Sequence, residues 1–262
     1  MTSVFSENLF NGKTAFFAGA TSGIGLAIAQ RFAALGAEVA LFGRSREKLD
    51  AALASFSPRA IGTTGDVRDY ASIQGSLAAA HEQLGPLDFL FCAAAGNFPA
   101  PALGMSANGF KAVVDIDLLG TFNTCRAAHA YLRKPGAVVV TIGANHSHIA
   151  YPMQAHVCAA KAGVEMLTRV LAMEWGPDGI RVLGITPGPI DGTEGMRRLA
   201  PTPEARRAVC AAVPLGRMGT TAEVADLAAF LCSPAASYLT GAMYACDGGS
   251  GLAGPRSIPF PT

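Results

Sequence analysis

Charge is scarce in this chain: 15% of its 262 residues are Asp, Glu, Lys or Arg, and the formal net charge is +1. A near-neutral balance gives no electrostatic footprint for a phosphate backbone, which argues against nucleic acid as the main partner. Long apolar runs are missing too. No stretch approaches the roughly 20 residues that span a bilayer, and the first residues lack the charged-then-apolar order of a secretion signal. A cytoplasmic enzyme with no membrane partner is therefore the expectation. Cysteine pairs are absent as well: Cys92, Cys125, Cys158, Cys210, Cys232 and Cys246 are scattered, with no C-x-x-C among them. Such spacing suits small core side chains in a reducing compartment, not a disulfide framework or a metal centre. No repeat or low-complexity tract interrupts the chain, and residues 260–262 form neither a peroxisomal address nor a prenylation box.

Apolar residues, by contrast, make up half of the sequence, enough for one domain over residues 1–262 with a sizeable core. The stretch Thr14 to Leu35 organises it. A short apolar run ends at Ala18; Gly19, Gly23 and Gly25 follow in a G-x-x-x-G-x-G spacing; Leu26, Ile28 and Phe32 continue an apolar helix face. Strand, glycine turn and helix together make a phosphate cradle. Gly19 permits the tight exit from the strand, Gly23 lets backbone amides approach a pyrophosphate, and Gly25 lets the helix lie close on the sheet. Thr21 and Ser22 add hydroxyls where the anion would sit, and Ile24 completes the turn.

Further along, apolar runs predict strands at 38–42, 61–64, 87–92, 137–142, 181–186 and 242–245. Helical patterns predict helices at 69–84, 106–131, 154–175 and 222–231. Seven strands alternating with helices predict an α/β Rossmann fold, a doubly wound parallel sheet with ligands at the carboxyl ends of its strands. Residues 187–215, rich in Pro, Arg and Ala, read as a substrate lid, and 250–262 as a C-terminal tail. After the second strand stands Arg44, where a carboxylate would bind a ribose 2′-hydroxyl and an arginine suits a 2′-phosphate, so NADP(H) is the expected cofactor.

These motifs resemble the short-chain dehydrogenase/reductase family. That family's usual catalytic set is a serine after the fifth strand and Y-x-x-x-K on the next helix. Counting back from Lys161, the tyrosine position holds Val157 and the serine position Ala144. Without either hydroxyl, protonating a ketone oxygen beside a hydride is hard to support. Conjugate reduction of an unsaturated thioester needs neither: charge develops on the thioester oxygen and the proton goes to carbon. Phe98 in A-A-G-N-F, F-K-A-V-V-D-I-D at 110–117, E-W-G-P at 174–177, P-G-P-I-D-G-T-E-G-M-R-R at 187–198 and S-P-A-A-S-Y-L-T-G-A at 233–242 resemble the NADPH-dependent 2,4-dienoyl-CoA reductases, most closely their peroxisomal type.

The resemblance implies roles. Asp117, Lys161 and Asp247 would be catalytic, with Lys161 also on the nicotinamide ribose. Asp66 and Val67 would contact adenine, and Pro187, Gly188, Ile190 and Thr193 the rest of the cofactor. Arg68, Phe98, Ser106, Asn108 and Arg198 would meet the acyl-CoA. A homotetramer paired through Leu118, Phe122, Met166 and Val170 is also implied. His146 departs from the peroxisomal pattern; it is either a donor to the thioester oxygen or a solvated loop residue. With His148 and His156 it completes no metal-ligand spacing, so no metal is expected. Two other readings stay open: an oxidoreductase acting on a carbonyl or a non-CoA enone, and a nucleotide-binding protein without catalysis.

Overall fold

The computed structural model describes residues 4–56 and 60–252. Strand β1, Thr14–Ala18, is buried at every residue, as a run without polar alternation must be when helices cover both faces of a parallel sheet. Beside it lie β2 (Glu38–Gly43), β3 (Ala60–Thr64), β4 (Phe89–Cys92), β5 (Val138–Ile142), β6 (Arg181–Pro187) and β7 (Met243–Cys246). Their order is β3-β2-β1-β4-β5-β6-β7, and every pairing is parallel. Chain progression reverses between β1 and β4, so a crevice opens there at the carboxyl ends.

Helices α1 (Gly23–Ala34), α2 (Arg46–Leu53) and α9 (Thr221–Cys232) cover one face; α3 (Tyr70–Leu84), α5 (Gly120–Ala128) and α6 (Ala155–Trp175) cover the other. Under the first layer Phe17 stacks on Phe91 at 4.6 Å and Phe10 on Phe32 at 4.6 Å. Burying each such ring stabilises the fold by roughly 1.5–3 kcal/mol. That core holds β1 and α1 rigidly about the glycine turn between them.

Two segments differ from the sequence reading. The single helix expected over 106–131 is α4 (Ala107–Val114), a π-helical turn (Asp115–Leu119) and then α5. Gly120 sits at the join because a Cβ there would lie 2.5 Å from Val67 Cγ2. Thr121 and Thr124 hydroxyls donate back to the carbonyls of Asp117 (2.6 Å) and Gly120 (2.7 Å). Local widening of this kind re-aims side chains and recurs at functional sites; here the widened turn carries Asp117. The segment 187–215 contains two short helices, α7 (Glu194–Leu199) and α8 (Pro203–Ala212), each capped by a threonine side chain. Of the tail expected over 250–262, Ser250–Leu252 form a short 3-10 turn, and 253–262 lie outside the described residues.

Candidate active site

At the nucleotide end the backbone does most of the construction. Gly19 has φ +88°, and a Cβ on it would come within 2.3 Å of the Ala94 amide nitrogen, so β1 exits directly against the chain leaving β4. A Cβ on Gly25 would lie 2.6 Å from the Gly19 carbonyl oxygen. Gly23 has φ +58° and open space around it; its nearest neighbour is Thr193 Cγ2 at 4.0 Å. The N-terminus of α1 has no side-chain cap from Ser22 and no acidic residue in its first turn. Free amide donors at the positive end of a helix dipole fit a pyrophosphate. Arg44 is exposed beyond β2; behind the Arg68 hydrogen bond, which does most, its charge also helps hold the Asp66 carboxyl low. Thr193 caps α7, with its hydroxyl on the Ile190 carbonyl, and faces the glycine turn.

At the reaction end side chains take over. Asp117 and Lys161 are 1% and 6% exposed. Asp117 Oδ1 accepts the Gly96 amide at 2.7 Å, which ties the π turn to the loop after β4. Lys161 Nζ lies 3.1 Å from Asp117 Oδ2 and donates to the Ile142 carbonyl at 3.0 Å. The Lys161 to Oδ2 contact is ionic without hydrogen-bond geometry, so Oδ2 is a buried acceptor with no donor of its own. An orphaned carboxylate oxygen beside an ammonium is costly to bury unless a hydroxyl or water completes it. Val157, at the tyrosine position, is 3% exposed and packs with Val113 and Ala160, so apolar packing fills that place.

Asp247 is built differently. It accepts from the amides of Gly249 (2.9 Å) and Gly251 (2.5 Å), from Asn145 Nδ2 (3.2 Å) and from Ser250 Oγ (3.4 Å). Partial burial pushes its carboxyl up, but these donors outweigh that and leave it below the usual carboxylate value. Gly188 must be glycine because a Cβ would fall 2.6 Å from Asp247 Cα, which seats the end of β7 against β6. A cavity of about 280 Å³ borders this cluster, lined by Asn145, His148, Glu165, Thr186, Met243 and Asp247 among others.

His146 lies in the short turn after β5 and stacks on Tyr151, ring centres 4.1 Å apart and 20° from parallel. Burial, then the nearby Lys161 charge, pushes its imidazole below the ordinary histidine value, so near neutral pH it is uncharged. His156 is fully buried edge-on to Phe98, 4.5 Å between ring centres. Among the described residues no three His, Cys, Asp or Glu side chains are placed to hold a metal.

The structure thus brings Asp117 and Lys161 together, and places His146 within electrostatic reach of Lys161. The other expected site residues are placed as follows. Arg68 turns onto Asp66, with contacts of 2.6 and 3.0 Å; that hydrogen bond, foremost, holds the Asp66 carboxyl below its usual value. Val67 is buried against the Gly120 join, and its carbonyl accepts from Asn123. Ile190 is 2% exposed, with its side chain in the core and its carbonyl accepting from the Thr193 hydroxyl. Pro187 ends β6. Ser106 caps α4 through the Gly109 amide, Asn108 is exposed beside it, and Phe98 packs toward Gly109. Arg198 is exposed on α7 and pairs with Glu194. Leu118 packs inward over Gly163, unlike Phe122, Met166 and Val170, which are exposed. Sequence reasoning missed Asn145, Gly96 and Tyr151. Asn145 bonds a residue 102 positions away, and no local pattern signals that.

Comparison with known proteins fits this geometry. A family profile described as Enoyl-(Acyl carrier protein) reductase matches residues 19–251. A protein of Arabidopsis thaliana named peroxisomal 2,4-dienoyl-CoA reductase, (3E)-enoyl-CoA-producing, is 41% identical over 99% of this chain and 91% of its own. One of Bacillus subtilis, named probable 2,4-dienoyl-CoA reductase, (2E)-enoyl-CoA-producing, is 40% identical over 92% of this chain and 97% of its own. The crystal structure of a short chain dehydrogenase from Bacillus anthracis superposes with a TM-score of 0.83 at 36% identity, covering 95% of this chain and 99% of that one. Glycine turn, switch-point crevice, surviving lysine and these matches agree: the chain belongs to the short-chain dehydrogenase/reductase family of oxidoreductases.

Proposed function

We propose that this enzyme reduces trans-2,4-dienoyl-CoA to 3-enoyl-CoA with NADPH, in the oxidation of unsaturated fatty acids. One observation carries the reading: where a ketone reducer needs a hydroxyl acid there is buried Val157, yet the lysine four residues on is retained and paired with a dry aspartate. The nicotinamide cofactor supplies a hydride. NADPH is favoured over NADH because Arg44 presents a cation beyond β2, where a 2′-phosphate would lie. The relatives that are named dienoyl-CoA reductases support the substrate class.

Hydride reaches C5 of the diene, the double bonds shift, and charge gathers on the thioester oxygen as a dienolate. A proton on C2 then gives the 3-enoyl product. Asp117 Oδ2, lacking a donor, holds the water that delivers this proton, and Lys161 fixes its orientation and binds the nicotinamide ribose. Asp247 assists from the end of β7. His146, uncharged, gives a hydrogen bond to the thioester oxygen and loses no proton to it. Phe98, Ser106, Asn108, Arg68 and Arg198 are proposed to line the acyl-CoA path, with residues 187–215 closing over it.

Two further parts belong to the proposal. Exposed Phe122, Met166 and Val170 favour pairing of subunits into a homotetramer, which light scattering tests. Six free thiols favour a reducing, cytoplasmic setting, and cell fractionation tests that against the peroxisomal location in the relatives' names. For the activity itself, NADPH oxidation is followed with 2,4-hexadienoyl-CoA and longer dienoyl-CoAs. Steady turnover is expected; none with any of them overturns the reading.

A further inference from the structure

Tyr151 is half-exposed, adds little to the core, and yet sits on a backbone pinned from three sides. Its carbonyl accepts the amide of Gln154, the residue that opens α6. Two residues on, Met153 holds φ +66° without being glycine, and its carbonyl accepts the Ala100 amide at 2.9 Å, tying this loop to the one after β4. On the other side Asn145 anchors the turn to Asp247 and Ser250. A non-glycine residue in the left-handed region is held there only when its surroundings insist, and such strain clusters at functional sites.

What the pinned loop delivers is an aromatic face laid flat on His146, at 4.1 Å and 20°. Of the two imidazole nitrogens, only Nδ1 is buried without a partner; Nε2 keeps access to solvent. A neutral ring in that setting carries its proton on Nε2, because a buried N–H without an acceptor costs more than a bare lone pair. The N–H then points from a face that Tyr151 has fixed. The groups bearing on the pair are Lys161 and Cys158 from α6 and Asp247 from the end of β7, with His148 in the same turn. No hydrogen bond engages the Tyr151 hydroxyl among the described residues, so the ring is what the arrangement uses.

We propose that Tyr151 is a positioning residue: its ring clamps the His146 imidazole so that one N–H is presented to the thioester oxygen. The inference rests on the dienoyl-CoA reading for its substrate, and on the stacked geometry alone for the clamp. It makes the His146–Tyr151 pair this chain's replacement for the missing catalytic hydroxyls on the electrophilic side of the substrate.

The test uses the full-length enzyme as wild type, Tyr151→Phe, Tyr151→Leu and His146→Gln. Tyr151→Phe keeps kcat within about twofold, since the ring remains. Tyr151→Leu lowers kcat about tenfold with little change in KM for NADPH, and adding it to His146→Gln brings no further loss. Titration of the His146 ring protons by NMR gives a readout independent of turnover. In Tyr151→Leu the midpoint rises toward the ordinary histidine value as water returns; in Tyr151→Phe it stays. Equal damage from Phe and Leu would assign the role to the hydroxyl and overturn the clamp, as would an unmoved His146 midpoint in Tyr151→Leu or additive losses in the double variant. If wild type turns over no dienoyl-CoA while the midpoint moves as expected, the substrate reading fails and the clamp stands.

Discussion

The two ends of the crevice are made in different ways. At the nucleotide end the parts are glycines and amides: Gly19 and Gly25 let strand, turn and helix approach within distances that any Cβ would forbid, and Gly23 supplies the left-handed backbone between them. At the reaction end the parts are side chains brought from distant segments: Asp117 on a π turn, Lys161 on α6, Asn145 and Asp247 from loops 102 residues apart. Backbone shape tolerates no substitution but commits to no chemistry, whereas the side-chain end can change its reaction while the fold stays. The replacement of the tyrosine by Val157 and the serine by Ala144 is such a change, made without disturbing the cradle. Within the reaction end Asp117 and Asp247 repeat the contrast, one dry with an orphaned oxygen, the other solvated and saturated with donors.

The largest test of that contrast is Asp117→Ala. Its kcat should fall by about 100-fold or more, in the range of general acid–base contributions, while NADPH affinity is kept. Because this variant also strips the Gly96 amide of its acceptor, Asp117→Asn is measured beside it; it keeps an oxygen for Gly96, removes the charge as Ala does, and still loses most of the rate. An unaffected rate in both would remove Asp117 from the mechanism. Gly19→Ala strikes the other end. With φ +88° and backbone 2.3 Å from the new methyl, it should destabilise the fold by about 2 kcal/mol or more and abolish NADPH binding, measured by denaturation and by fluorescence titration.

Arg44→Ala should reduce the preference for NADPH over NADH by roughly 10- to 100-fold, as loss of charge-assisted bonds to a phosphate does, with kcat nearly unchanged. A preference that does not move would place the 2′-phosphate elsewhere. The smallest effect is expected from Asp247→Asn. Asp247 has its folded-state value below the unfolded one, so its stabilisation is present above about pH 4 and is lost as pH falls through the lower, folded value. The variant lacks that contribution at neutral pH, and its melting temperature should fall less steeply than wild type on acidification.

How much of this was legible in the sequence follows the same division. Strand runs and the glycine spacing specified β1, the turn and α1, because each depends on neighbours a few residues away. The missing hydroxyl pair was equally plain, since Val157 and Ala144 stand at fixed offsets from Lys161. The π turn was not legible: the residues 107–128 read as continuous helix, and the extra residue per turn depends on Gly120 meeting Val67 from another element. The pairing of Arg68, read as a substrate contact, with the carboxylate two residues away was not anticipated. Asn145 and Tyr151 carry no local signal, because what they hold is Asp247 in one case and a histidine face in the other.

The central claim is that hydride lands on an alkene carbon. Reaction of 2,4-hexadienoyl-CoA with NADPH deuterated at the transferring position of C4, followed by NMR of the product, tests it directly. Deuterium is expected on C5 of a 3-enoyl-CoA with the thioester intact. Deuterium on a carbinol carbon, with the diene retained, would contradict it.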